Sequence, residues 1–198
     1  MPNMPVSDRR RQFIEATVKV VGEEGVAKAT TRRIAEVADA PAAGMHYAFE
    51  NKEHLFRAVL EHQLGSGLAI ASEVVKPGMG LRAGAEAITR RYANWVRQDP
   101  QLQLASYDLI LWAIRTPASE HLAARSCRSW VGSTSQLLSE TVVPTDPEVN
   151  LDDLAALICA AIDGHTLQWQ TLGDNSFQPR IEMLVQVIDA WLVAQVDE

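Results

Sequence analysis

The sequence predicts an all-α protein, and three observations carry the prediction. Ala, Leu, Glu, Gln and Arg dominate a chain that is 47% apolar, and these are good helix formers. Apolar residues recur at helical spacing, while alternating aromatic and β-branched runs are scarce. Capping residues and Pro/Gly breaks cut the chain into segments of helical length.

Helix one is expected from Asp8 to about Glu24, burying Phe13, Ile14, Thr17, Val20 and Val21 and stopping at Gly25. Helix two reads Thr31 to Ala38, with Thr30 as its capping hydroxyl and Ile34, Ala35, Val37 and Ala38 as its apolar face. Helix three covers about Ala42 to Phe49, with Met45, Ala48 and Phe49 at helical spacing. Asn51 caps helix four, which starts at Lys52 and runs to about Val75, where Lys76-Pro77-Gly78-Met79-Gly80 breaks it. Helix five covers Leu81 to Arg97. Asp99-Pro100 opens helix six, which ends near Arg115. Helix seven spans about Ser119 to Thr141, helix eight about Leu151 to Leu172, and helix nine about Pro179 to Val196.

The most informative stretch is Thr30 to Phe56, TTRRIAEVADAPAAGMHYAFENKEHLF. Two short helices meet there at a tight turn, the pattern of a helix-turn-helix unit whose second helix fits the DNA major groove. Thr30-Thr31, Ile34-Ala35, His46-Tyr47, Phe49 and Asn51-Lys52-Glu53-His54-Leu55 follow in order, with Arg9 to Phe13, Ala16 and Gly25 upstream. On these residues the first 60 or so positions resemble the tetracycline-repressor (TetR) family. The resemblance implies a nine-helix fold: a three-helix DNA-binding head, residues 1–51, and a helical ligand-binding and dimerisation domain, residues 52–198, with helix four linking the two.

Carried over by position, the resemblance implies DNA contacts from Thr31, Arg32, Ala42, Ala43, Gly44, His46, Tyr47 and Lys52. Arg32 is the candidate for a bidentate guanine contact. His46 and Tyr47 stand where the family has its phosphate-reaching aromatic pair. Lys52 occupies the lysine that contacts phosphate or packs against helix three. The chain departs from the family in three places. Pro41-Ala42-Ala43-Gly44 opens the recognition helix without hydrogen-bonding side chains, so readout there rests on thymine methyls and close backbone approach. Asp39 replaces the usual turn glycine, and Asp tolerates the left-handed conformation better than most residues. His46 stands where tyrosine is usual, as a neutral hydrogen-bonder or a cation depending on its protonation.

A net charge of −7 looks wrong for a DNA binder until it is divided. Residues 1–63 hold nine basic and nine acidic side chains, with Arg9, Arg10 and Arg11 together near the front; residues 64–198 hold nine against sixteen. Affinity for phosphate then comes from a local cationic face, with the acidic body held away.

The resemblance further implies a homodimer built through helices eight and nine, with Leu157, Ala161, Gly164, Leu184, Ile188 and Trp191 at the interface. It also implies an effector cavity among helices five to eight. The candidates for its lining are Trp95, Tyr107, Asp108, Trp112, Arg115, Trp130, His165 and Trp169. For each alone, core or interface packing is the competing assignment; as a set they suit a small, largely apolar effector with a few polar groups. The expected function is a ligand-responsive transcriptional repressor released from a palindromic operator when effector binds. A helical adaptor that binds protein through its head is the alternative.

Several classes find no support in the residues. None of the five histidines has Glu three positions before it, as a di-iron bundle requires, and no nucleophile elbow, Walker A loop or His-Glu-x-x-His site occurs. No catalytic group, metal or cofactor is expected. The best apolar run, Leu154 to Ile162, is about half the length of a membrane span. The isolated Cys127 and Cys159 suit a reducing cytoplasm, so the expected location is cytoplasmic.

Overall fold

The computed structural model describes residues 5–195, and among these the chain forms nine α-helices and one 3-10 turn, with no strand. The helices are α1 (Val6–Glu24), α2 (Thr31–Val37), α3 (Ala42–Ala48), α4 (Lys52–Ser72) and α5 (Leu81–Gln98). They continue with α6 (Pro100–Arg115), α7 (Glu120–Thr141), α8 (Leu151–Leu172) and α9 (Phe177–Ala194). The expected end of helix nine at Val196 lies outside the described residues. No described helix is long and apolar enough to cross a membrane.

The caps foreseen from sequence are made. The Thr30 hydroxyl accepts the Arg33 N–H at 3.1 Å, Asn51 Oδ1 accepts that of His54 at 2.8 Å, and Asp99 accepts that of Leu102 at 3.0 Å. Each satisfies one of the donors orphaned at a helix start. Asn150 caps α8 in the same way, and Gly173 ends it in the left-handed conformation at φ 63. The 3-10 turn Val26–Lys28 was not foreseen, because three residues carry no readable period.

The chain divides into two compact units, with boundaries inside α4 after Gly65, between α5 and α6 after Gln98, and inside α7 after Ser126. The first unit holds α1, α2, α3, the first part of α4, α6 and the start of α7. Its core joins Phe13, Val20 and Val21 of α1 to Ile34 of α2, Met45 of α3, Leu55, Phe56 and Val59 of α4, and Ala105 and Leu109 of α6. Helices α1 and α6 approach closely: a Cβ on Gly22 would stand 2.8 Å from the Gln101 carbonyl oxygen. Asp108 on α6 accepts the Val26 N–H at 2.5 Å, which fixes the turn after α1. Phe56 and Trp112 meet edge to face with centroids 5.0 Å apart.

The second unit holds the rest of α4 and α7, with α5, α8 and α9. Helix α5 packs on α9, and two ion pairs flank that contact: Arg82 to Asp189 at 2.5 Å and Arg90 to Glu182 at 2.6 Å. Its start is held from a distant loop, where the Asp146 carboxylate accepts both Leu81 N–H at 2.7 Å and Val143 N–H at 2.8 Å. Gly84 is pressed against Thr141, whose Oγ1 would stand 2.4 Å from an added Cβ.

Candidate nucleic-acid interface

The helix-turn-helix unit lies wholly in the first unit, and its geometry follows from local sequence. The turn between α2 and α3 passes through Asp39 at φ 47, the left-handed conformation expected of that aspartate. Helix α3 then begins after Pro41 with no side chain capping it. Its seven residues separate cleanly: Met45 and Ala48 are buried, Gly44 lies against the Phe13 ring, and Ala42, Ala43, His46 and Tyr47 are exposed. Those four exposed positions recur at i, i+1, i+4 and i+5, one face of a helix. Tyr47 is 88% exposed, an unusual state for so large an apolar ring.

The cations of α2 and of the start of α4 fall into two groups. Arg32 extends 90% of its side chain into solvent, with one surface pair to Glu36 at 3.0 Å. Lys52 is also exposed, its Nζ 5.0 Å from the centre of the Phe56 ring; partial burial lowers its ammonium pKa from the usual value. Arg33, by contrast, is held by Glu24 at 2.7 Å and Glu36 at 3.5 Å. Its bond to Glu24 raises the guanidinium pKa and lowers that of the Glu24 carboxyl.

The three front arginines lie within α1 rather than presenting a loose basic cluster. Arg9 donates to Gln12 Oε1 at 3.0 Å, and Arg11 pairs with Asp8 at 3.5 Å and Glu15 at 3.9 Å. Arg10 turns to α3, where it donates to the Ala48 carbonyl.

Residues 13–59 match the family model described as "Bacterial regulatory proteins, tetR family". The nicotine-responsive HTH-type transcriptional repressor HdnoR of Paenarthrobacter nicotinovorans is 26% identical over 93% of this chain and 94% of its own length. Residues 13–59 are a TetR-family DNA-binding domain, that of bacterial transcriptional regulators. Among solved structures the chain is similar to the multidrug binding protein EbrR complexed with imidazole. That match has 25% identity and TM-score 0.62 over 91% of this chain and 94% of that one. A TetR-family regulator from Syntrophomonas wolfei shares the fold with TM-score 0.78 over 94% of this chain and 96% of that one, at 16% identity. The TetR family is regulatory and DNA-binding, and its members bind operators, dimerise and respond to small molecules.

The eight cavity candidates do not form one cluster in either unit of this chain. Tyr107, Asp108, Trp112 and Arg115 belong to the first unit. There Asp108 is engaged by Val26, Trp112 stands against Phe56, Tyr107 is half-buried and Arg115 is exposed. The carboxylate that stands out on an apolar helix accepts a backbone donor of the α1 turn. In the second unit Trp95 and Trp130 come together, centroids 6.0 Å apart, with Tyr92 edge-on to Trp130 at 5.6 Å. Gly67 makes room for them, since a Cβ there would stand 2.3 Å from the Trp130 ring. Trp169 stacks against Phe177 at 5.0 Å. His165 has its pKa lowered, first by burial and then by the charge of Arg180.

The interface candidates also divide. Leu157, Gly164 and Trp191 are exposed and Ala161 is half-exposed, and nothing lies within 4 Å of a Cβ built on Gly164. Leu184 and Ile188 are buried within the chain itself, at 7% and 2% exposure. Helix α9 turns Ile181, Leu184, Val185, Ile188 and Leu192 inward, which leaves Met183, Val187 and Trp191 exposed at a spacing of four. That second stripe was missed; its fourfold spacing was the readable signal.

Proposed function

We propose that this chain is an effector-released repressor that binds a palindromic operator as a homodimer. In this reading residues 1–51 form the DNA-binding domain and 52–198 the ligand-binding and dimerisation domain. The observation that carries the reading is the exposed face of α3, Ala42, Ala43, His46 and Tyr47, in a helix-turn-helix unit whose α2 extends Arg32 into solvent. Solvent-facing alanines and a tyrosine serve no core, whereas they suit a groove that offers thymine methyls and phosphates. Arg32 reads a base; Tyr47, His46, Thr31 and Lys52 hold the backbone. Gly44 lies over Phe13, where a Cβ would make an ordinary contact at 3.6 Å.

Two helix-turn-helix heads read a palindrome when a dimer sets their separation. The exposed apolar stripes on α8 and α9 support dimerisation there, with Leu157, Ala161, Gly164 and Trp191 joined by Met183 and Val187. The effector is small and largely apolar, and the Trp95–Trp130 pair supports an aromatic lining for its site. The nicotine-responsive and imidazole-complexed relatives support a small nitrogen heterocycle as its class. Binding releases DNA only if the effector has different affinity for the two arrangements of the dimer.

A mobility-shift titration tests the reading, using duplex from the chain's own upstream region and a randomised pool across a range of salt. Sequence-specific binding that weakens as salt rises is expected. Failure to bind any palindromic duplex at low salt would overturn it.

A further inference from the structure

Helix α3 is too short and too poorly capped to hold itself. It has seven residues, a glycine at its third position, and Pro41 at its N-cap offering no side-chain acceptor. Isolated helices shorter than about 12 residues are marginal even in alanine-rich sequences. A reading helix nonetheless has to present its side chains in one fixed geometry, so something outside α3 must supply the order.

Helix α1 supplies it through three neighbouring residues. Arg10 donates through Nη1 to the carbonyl of Ala48, the last residue of α3, and its guanidinium carbon lies 4.4 Å from the centre of the Phe49 ring. Gln12 donates through Nε2 to the carbonyl of Ala38, the residue capping α2, at 2.5 Å. Phe13, fully buried, supports Gly44 in the middle of α3. Both carbonyls stand at helix ends, where no intrahelical N–H is available to them.

We propose that Arg10 and Gln12 are positioning residues for DNA recognition: a two-point clamp from α1 onto the C-terminal carbonyls of α2 and α3. Arg10 then acts on DNA through the pose of α3 rather than as a phosphate contact. Planarity is what the position uses, because a guanidinium stacks on a ring and donates in its own plane, whereas an ammonium is a point charge. The proposal rests on the head being the DNA-binding part, and its first test is independent of that.

Amide hydrogen exchange of the full chain without DNA is compared for wild type, Arg10→Lys, Arg10→Met and Gln12→Leu, with circular dichroism confirming that each variant folds. Exchange of residues 42–49 is expected to accelerate about tenfold in both Arg10 variants, while the buried part of α4 is unchanged. Gln12→Leu is expected to loosen residues 36–40. DNA binding is then measured on the duplex that wild type selects from a randomised pool. Arg10→Lys is expected to lose about as much affinity as Arg10→Met, roughly tenfold, because only the fraction of molecules with α3 in place can bind. The slope of log K against log salt is expected to stay near the wild-type value. The proposal is overturned if Arg10→Lys binds like wild type while Arg10→Met lowers the slope by about one per protomer, the signature of a phosphate contact. It is equally overturned if exchange of α3 does not change. Should wild type bind no DNA, the exchange result still decides the clamp, and the regulator reading fails separately.

Discussion

Gln63 donates its side-chain amide to Gln103 Oε1 at 2.9 Å, and both residues are 4% exposed. The amide nitrogen of Gln103 is itself buried without a partner. Two long polar side chains have been taken out of water on α4 and α6 for one hydrogen bond, which makes the pair costly to break and cheap to replace. Gln103→Leu leaves the Gln63 amide stranded and is expected to cost about 1–3 kcal/mol. The double variant Gln63→Leu/Gln103→Leu removes both polar groups and is expected to lie near wild type. Urea denaturation of the four proteins checks this, provided the transitions are two-state.

Asp108 is expected to matter for stability. Its carboxylate meets the Val26 N–H on the turn that follows α1. Asp108→Ala leaves that donor without its partner and should cost about 1–3 kcal/mol. Asp108→Asn retains a carbonyl acceptor and should cost less. Thermal unfolding separates the two.

On the proposed DNA face, Arg32→Ala should relax sequence preference at one base pair, with a cost of about 1–3 kcal/mol on the preferred site. Lys52→Ala should weaken binding to all sequences alike and reduce the salt slope. Folding stability should hardly respond to Arg32→Ala, because its pair with Glu36 is a solvent-exposed one. Binding titrations against a panel of single-base variants supply the measurement.

The two faces of α9 predict opposite phenotypes. Leu184→Ala opens a cavity in the subunit core and should cost about 2–5 kcal/mol. Val187→Glu, on the exposed stripe, should leave the chain folded and turn the proposed dimer into monomers, since a charge would be buried against a partner. Sedimentation and thermal unfolding of both variants distinguish core from interface.

Alkali should destabilise the second unit. Burial pushes the Tyr92 hydroxyl up to about 12, opposed by its contact with Thr134, and pushes the Cys159 thiol up to about 11. Each group then holds its proton longer when folded than when unfolded, so the folded state binds more protons over that interval. Their contribution is complete below pH 9 and is lost as pH rises through 9 to 12. For Tyr92 it is on the order of 2 kcal/mol. Denaturation midpoints measured across this range should fall, and Tyr92→Phe should flatten the decline. The Cys159 thiol should also alkylate more slowly at pH 8 than the exposed Cys127.

Nearly every helix was legible because its ends are written in local chemistry. Thr30, Asn51, Asp99-Pro100 and Asn150 each act on a donor within three residues of themselves, and Gly173 closes α8 by its own backbone. The exposed side of α3 was equally readable, because Met45 and Ala48 leave no other face to bury. Interactions between distant parts of the chain were not readable. Nothing near Asp108 announces an N–H eighty-two positions away, and nothing near Arg10 announces a carbonyl thirty-eight positions on.

By itself the amino-acid order determined the helices, their caps, the turn at Asp39 and the helix-turn-helix pattern, all of which depend on interactions within about one helical turn. Tertiary structure alone decided which apolar residues of α9 are core and which are free, and whether a charged side chain such as Arg10 or Asp108 faces solvent or a backbone partner. The physical reason is range. A cap is satisfied by neighbours in sequence, whereas burial and long-range hydrogen bonds depend on which helices the folded chain brings side by side.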